Sequence, residues 1–156
     1  MLFAFASKQF YPNDIGFTGM PPFLLSSDAF QAFLHRFDAG ALPRAEWNHA
    51  AHLSVAAATV HAGGGVDQVR RQIFTYIAAQ GIESTPTSGY HETITQFWVN
   101  RLRELVAGLG RGASQYDAAR AAVAAFAHRG RLFDLYYSFD VSTDTHARAV
   151  YVAPDK

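Results

Sequence analysis

The segment that most constrains the fold is residues 53–58, where apolar and small side chains occupy every side of a helix. Its sequence is Leu-Ser-Val-Ala-Ala-Ala, within a helix predicted to begin near Ala45 and to end at the glycine run 63–65. A helix that is apolar all round is buried on most of its sides. The rest of the chain must therefore supply elements that surround it.

Other segments carry apolar residues at helical spacing. The first follows the N-cap candidates at 26–28, the third covers 66–80, and the fourth covers 90–108. A fifth follows Ser114, where Ser114 and Asp117 match a capping box, and a last one begins near Ser142. Alternating strand patterns are absent. The sequence predicts an all-α, single-domain bundle of five to six helices over residues 26–156.

Composition excludes several classes of protein. The 156 residues suit one domain, and 49% hydrophobic against 17% charged residues is a globular composition. Thirteen basic residues balance thirteen acidic ones, which argues against a broad nucleic-acid-binding surface. Without cysteine, any site chemistry depends on imidazole, carboxylate and hydroxyl groups.

The N-terminal arm (residues 1–25) carries five phenylalanines without a helical or alternating period. We expect an irregular segment that covers a partner surface, with a homodimer sealed by this arm as one alternative. It makes a poor signal peptide, and no stretch is long enough to span a bilayer. The expectation is a cytoplasmic protein without a membrane partner.

A first candidate site is Trp47-Asn48-His49-Ala50-Ala51-His52. Residues three apart lie about 60° apart on a helix, so His49 and His52 can share one ligand or metal ion. His49 is also in line with the apolar residues of its helix. The alternative is an ordinary helix start with polar residues in its first turn.

A second candidate site is Tyr90-His91-Glu92-Thr93-Ile94-Thr95. On a helical wheel His91 falls within the apolar stripe and Thr95 at its edge, whereas Glu92 lies well off it. We expect His91 to face the core, where its ring nitrogens need partners. Glu92 is either catalytic or, at the third helical position after Gly89, a cap for backbone N–H groups.

The three histidines converge if the second and fourth helices pack with their first turns together. A pocket of His49, His52 and His91 without thiolates would suit a divalent metal such as zinc, nickel, iron or manganese. A third candidate site, Tyr136 and Tyr137 with Arg148, could hold an anionic ligand. Paired tyrosines alternatively cover a core while their hydroxyls reach the surface.

The motifs HxxHL (His49–Leu53) and YHETIT (Tyr90–Thr95), together with Tyr136-Tyr137-Ser138 and Ala147-Arg148, resemble a family of small uncharacterised bacterial proteins. The likeness covers roughly residues 30–155. It implies a helical domain in which these motifs form one site, and it implies no activity. The chain also resembles, more loosely, the DinB-like helical bundles that bind a metal through histidines of different helices.

Three functions remain open from the sequence. One is a metal enzyme acting on a small molecule, with the three histidines as ligands and His91 and Glu92 as catalytic groups. Another is a metal-free small-molecule-binding domain, and the third is a structural or interaction module with an internal histidine network. The residues expected to contact a small molecule are Trp47, Tyr90, Thr95, Trp98, Tyr136, Tyr137 and Arg148.

Overall fold

The computed structural model describes residues 19–156, and over that range the chain is helical, as the periodicity predicts. The helices are α1 (Ser27–Asp38), α2 (His49–His61), α3 (Val66–Ala79), α4 (Glu92–Ala107), α5 (Gln115–Phe126) and α6 (Thr145–Ala149). Short 3-10 turns occupy Pro22–Leu24, Arg44–Glu46 and Leu132–Leu135. This part of the chain forms no strand, and none of its helices has the length and apolarity needed to cross a bilayer.

Helix α2 is the centre of the bundle. All of its residues from His49 to Thr59 are buried, and its main neighbours are α5 and α4. Alanines such as Ala51, Ala56 and Ala57 are almost fully enclosed, so the neighbouring helices approach its backbone closely. The uniformly apolar segment therefore lies where its composition predicts, in the middle of the core.

Local capping sets the helix starts. Ser26 accepts a hydrogen bond from the Ala29 amide at 3.1 Å, and Ser114 with Asp117 forms the predicted capping box. Helix α2 begins at His49, later than predicted, because Pro43 leads into a 3-10 turn and Asn48 is the N-cap. After its last turn, Gly63 takes a left-handed φ of 89°, which favours glycine.

The last residues of the N-terminal arm belong to the helical domain. Leu24 is buried, and its carbonyl oxygen accepts a hydrogen bond from the Tyr116 hydroxyl at 2.9 Å. The ring of Phe23 stacks on Phe33 with centroids 4.1 Å apart. The packed domain therefore begins before residue 26. Residues 1–18, with most of the predicted arm and its proposed dimer contact, lie outside the described residues.

Candidate ligand-binding cleft

An open cleft of about 1080 Å³ lies between α3, the loop before α4, the first turns of α4 and the C-terminal segment around α6. Charged and polar side chains on its walls include Arg70, Glu92, Gln96 and Arg148. Apolar surface comes from Phe74, Tyr90, Val150 and Tyr151. Three residues singled out from the sequence, Tyr90, Glu92 and Arg148, thus share one cavity.

Glu92 is the most heavily hydrogen-bonded side chain of the cleft. Its Oε2 accepts from Arg70 Nε at 2.9 Å and from the Tyr90 hydroxyl at 2.9 Å. Its Oε1 accepts from Gln96 Nε2 at 2.7 Å and from a second Arg70 nitrogen. Arg70 also binds Asp67, an exposed carboxylate on its own helix. The Glu92 carboxylate is therefore held in one position by residues of α3, α4 and the preceding loop.

This network fixes the ionisation of the carboxyl group. Burial acts to raise the pKa of Glu92, but hydrogen bonds from Arg70, Gln96 and Tyr90 outweigh it and bring the pKa below its ordinary value. Burial, with smaller effects from Glu92, raises the pKa of Tyr90. Glu92 is therefore an anion at neutral pH, and Tyr90 is a neutral phenol that donates to it.

Arg148 is a buried cation without an acidic partner in the described part of the chain. It is 5% exposed, and its guanidinium donates to the carbonyl oxygens of Gly89 at 3.2 Å, Tyr90 at 3.3 Å and Ser142 at 3.2 Å. No carboxylate among residues 19–156 forms an ion pair with it. Burial lowers the pKa of Arg148, since neutral carbonyls compensate the charge only in part.

The loop before α4 is held close to its own start. Gly89 has a left-handed φ of 85°, and a Cβ there would lie 2.5 Å from the Ser84 Cα. The Tyr90 amide donates to the Ser84 hydroxyl at 3.3 Å. Only glycine fits this approach without displacing the backbone. The close turn places Tyr90 and its carbonyl between Arg148 and the Glu92 network.

The apolar wall of the cleft is partly open to solvent. Phe74 is 42% exposed and Tyr151 37% exposed, and the Phe74 ring lies 4.8 Å from that of Tyr90. Val150 extends this surface. Large apolar side chains grouped around fixed polar groups are typical of small-molecule sites.

His91 is the N-cap of α4, whereas the helical wheel predicts a position within the helix. Its Nδ1 accepts from the Ile94 amide at 3.3 Å, and its Nε2 donates to the Val141 carbonyl at 2.9 Å. Thr95 donates its hydroxyl proton to the His91 carbonyl at 2.8 Å. Burial, helped by the nearby Arg148 charge, lowers the pKa of His91 to about 4. The imidazole is therefore neutral, buried as expected, and bonded through both nitrogens.

The other two predicted metal ligands have different neighbours. His49 donates from Nε2 to the Phe126 carbonyl at 3.0 Å, and burial lowers its pKa to about 3. Its ring lies 5.1 Å from that of Trp98, whereas the His52 ring lies 3.9 Å from that of Trp47. Residues 19–156 contain no group of three or more histidine or acidic side chains placed to hold a metal ion. The structure does not assemble the three histidines, and a bound metal stays a prediction.

The remaining predicted ligand contacts lie away from the cleft. Trp47 and Trp98 are buried, with the Trp47 ring stacked on Phe37 at 4.8 Å. Tyr137 is buried, donates to the Val152 carbonyl at 3.0 Å, and has its pKa raised by burial to about 12. Tyr136 lies beside Arg101, whose guanidinium is 5.4 Å from its ring centroid. These side chains, like Thr95, pack within the domain. Tyr137 is 1% exposed and its hydroxyl bonds a backbone carbonyl, whereas the alternative drawn from the sequence has the tyrosine hydroxyls reach the surface.

Helix α3 supplies two cleft residues that were not singled out from the sequence. These two residues are Arg70 and Phe74. Both belong to the same face, since they are four residues apart. A phenylalanine on an otherwise polar helix face was the signal that could have indicated a second buried or ligand-binding surface there.

Comparisons of the chain with protein-family models, with curated proteins and with solved structures find no match. The family resemblance drawn from the HxxHL and YHETIT motifs therefore stays a prediction. Function is inferred from the side chains of the cleft alone.

Proposed function

We propose that this chain is a small-molecule-binding domain whose ligand occupies the cleft between α3, α4 and α6. The observation that carries the proposal is that Tyr90, Glu92 and Arg148 line one cavity together with the exposed rings of Phe74 and Tyr151. Polar groups held in fixed positions give such a site its orientation and specificity, and apolar walls give it affinity.

The polar groups are positioned in advance. Glu92 is fixed by Arg70, Gln96 and Tyr90, so its carboxylate keeps one orientation when a ligand arrives. Arg148 is tied to the backbone carbonyls of Gly89, in the loop before α4, and of Ser142, before α6. Groups that are already ordered lose little conformational entropy on binding, which favours affinity for a small molecule.

The histidines support the metal-free form of this function. His91 uses both ring nitrogens in the fold, and His49 donates its Nε2 proton to a backbone carbonyl. A metal ligand must offer a deprotonated nitrogen, so His91, whose ring nitrogens are both engaged, would first have to give up a hydrogen bond. Among residues 19–156 no two further histidine or acidic side chains are placed to share a metal ion with His49. We assign these two side chains to holding the first turns of α2 and α4 against the rest of the bundle.

A fragment screen tests the proposal directly. Isotope-labelled protein is titrated with neutral, cationic and anionic fragments, and the backbone amide shifts are mapped. We expect saturable shifts concentrated at cleft residues such as Thr85, Gln96 and Tyr151, and a rise in melting temperature that EDTA does not abolish. Shifts confined to other regions, or stabilisation that disappears with EDTA, would contradict it.

Tryptophan substitutions at two exposed alanines provide a test variant and its matched control. Ala149 lines the cleft and is exposed, so Ala149→Trp fills the cavity without disturbing the core. Ala124 is exposed on α5 outside the cleft, and Ala124→Trp adds the same side chain there. We expect fragment binding to weaken at least tenfold in the first variant and to stay unchanged in the second.

A further inference from the structure

We propose that the ligand of the cleft is a small aromatic monocarboxylate, with its carboxylate on Arg148 and its ring between Phe74 and Tyr151. This inference rests on the proposed function and names the chemical class of its ligand. Three observations carry it: the charge of Arg148, which no carboxylate of residues 19–156 pairs, the pairing of Arg70 with Glu92 and Asp67, and the exposed aromatic wall.

Arg148 supplies the charge. A guanidinium carries five N–H donors, and the hydrogen bonds of Arg148 go to the carbonyls of Gly89, Tyr90 and Ser142 through Nη1 and Nη2. Its Nε makes no hydrogen bond to a described residue, so donors remain for a ligand. A buried cation compensated only by neutral carbonyls is stabilised strongly by an anion. Carboxylate geometry matches a guanidinium well.

The charge balance of the walls favours a single negative charge. Arg70 is already occupied by Glu92 and Asp67, which leaves Arg148 as the lining arginine without a carboxylate among the described residues. A monocarboxylate would balance it. A phosphate monoester brings up to two negative charges, and the excess would lie in a cleft that also contains the Glu92 anion, where like charges repel.

The aromatic wall supplies the body of the ligand. Phe74 and Tyr151 expose more than a third of their surfaces, and Val150 adjoins them. A flat apolar ring would remove this surface from water while its acid group reaches the buried guanidinium. A short aliphatic acid such as acetate would lack that contribution.

Titration of the intact protein with four probes tests the inference. Phenylacetate is compared with phenylacetamide, which has the same shape without charge, with acetate, which lacks the ring, and with phenyl phosphate. Binding is followed by the backbone amide shifts of isotope-labelled protein. We expect phenylacetate to bind in the cleft at least about tenfold more tightly than each of the other three probes. Equal or tighter binding of phenylacetamide or phenyl phosphate would overturn the proposal, as would the absence of any phenylacetate shift at the cleft.

Variants separate the two halves of the site. Phe74→Ala is expected to weaken the binding of phenylacetate several-fold and to leave the binding of acetate unchanged. Phe139 is an exposed aromatic residue outside the cleft, so Phe139→Ala should change the binding of neither probe. Arg148→Met should remove the preference for phenylacetate over phenylacetamide. If Arg148→Met does not fold, the comparison of phenylacetate with phenylacetamide on the wild-type protein still tests whether the ligand's charge is recognised. Equal effects of Phe74→Ala and Phe139→Ala would count against the aromatic wall.

The two proposals fail differently. If neutral or cationic fragments shift the cleft amides and phenylacetate does not, the aromatic monocarboxylate is wrong and the small-molecule site stands. If no fragment of any charge shifts these amides, both proposals fall.

Discussion

Arg70 and Glu92 join α3 to the first turn of α4 through two hydrogen bonds between one guanidinium and one carboxylate, with Nε to Oε2 at 2.9 Å. The Glu92 side chain is largely enclosed and that of Arg70 about one third exposed. Because Tyr90 and Gln96 donate to the same carboxylate, this pair sets the shape of one wall of the cleft.

Glu92→Gln is expected to lower the free energy of unfolding by roughly 1.5–3 kcal/mol, the range for a hydrogen bond to a charged group. The amide keeps the size of the side chain, but its NH2 group faces donors and the Arg70 charge loses its partner. Urea denaturation at pH 7 measures the change.

Glu46→Gln is the matched control. Arg36 and Glu46 form an ion pair at 2.6 Å whose side chains are both nearly half exposed. A pair in that setting contributes under about 1 kcal/mol. Equal losses in the two variants would show that the enclosed Glu92 network does not stabilise the fold beyond an ordinary exposed pair.

The helices could be predicted from the sequence because each has its own apolar period or cap. The start of α4 was misplaced, since histidine is not a customary N-cap and nothing local indicated that His91 would accept the Ile94 amide. Glu92 is consequently the first residue of the helix and does not act as a cap at its third position. Its carboxylate turns instead toward α3.

The site could be predicted only in part. Tyr90 and Glu92 were singled out as members of the segment Tyr90–Thr95, and Arg148 as a cation that could hold an anionic ligand together with Tyr136 and Tyr137. Their grouping, and the role of Arg70, depend on how α3 and α6 pack against α4. That packing is a long-range property which no local spacing encodes. The same limit explains why three inward-facing histidines did not imply a common site.

Overpacking of α2 offers a test of its central position. Ala57 is fully enclosed, so Ala57→Leu should force neighbouring helices apart and lower the free energy of unfolding by about 1–3 kcal/mol. Ala124→Leu adds the same side chain at an exposed position of α5 and should change stability by less than about 0.5 kcal/mol. Thermal and urea unfolding compare the two, and a neutral Ala57→Leu would contradict the tight packing.

Metal removal addresses the histidines. His91 uses both ring nitrogens in the fold, and residues 19–156 group no three histidine or acidic side chains around a metal position. We therefore expect untagged protein to unfold at the same temperature before and after dialysis against EDTA. Elemental analysis should give far less than one divalent ion per chain. One zinc, nickel, iron or manganese ion per chain, lost in both His49→Ala and His91→Ala, would instead establish the metal site predicted from the sequence.

The two buried histidines make a prediction about pH. Their pKa values in the folded chain, about 3 for His49 and about 4 for His91, lie below the ordinary value of 6.5. The unfolded chain therefore takes up protons first as pH falls below about 6.5. Each histidine lowers the free energy of unfolding by up to about 1.4 kcal/mol per pH unit in this range. The contribution of the two histidines is fully present above pH 6.5 and is lost as pH falls from 6.5 through about 4 for His91 and about 3 for His49. Measurements between pH 6.5 and 5 report it while Glu92, whose pKa lies below its ordinary value, is still ionised.

His91→Asn isolates the contribution of one ring. Asparagine can cap α4 by accepting the Ile94 amide, so the helix start is retained. The variant should be roughly 1–2 kcal/mol less stable at pH 7.5, since the hydrogen bond to Val141 is lost. Its loss of stability between pH 6.5 and 5 should be smaller than that of wild type, by up to about 1.4 kcal/mol per pH unit. Urea unfolding at half-unit pH steps measures both quantities, and an unchanged pH dependence would mean that His91 protonates equally in the folded and unfolded chains.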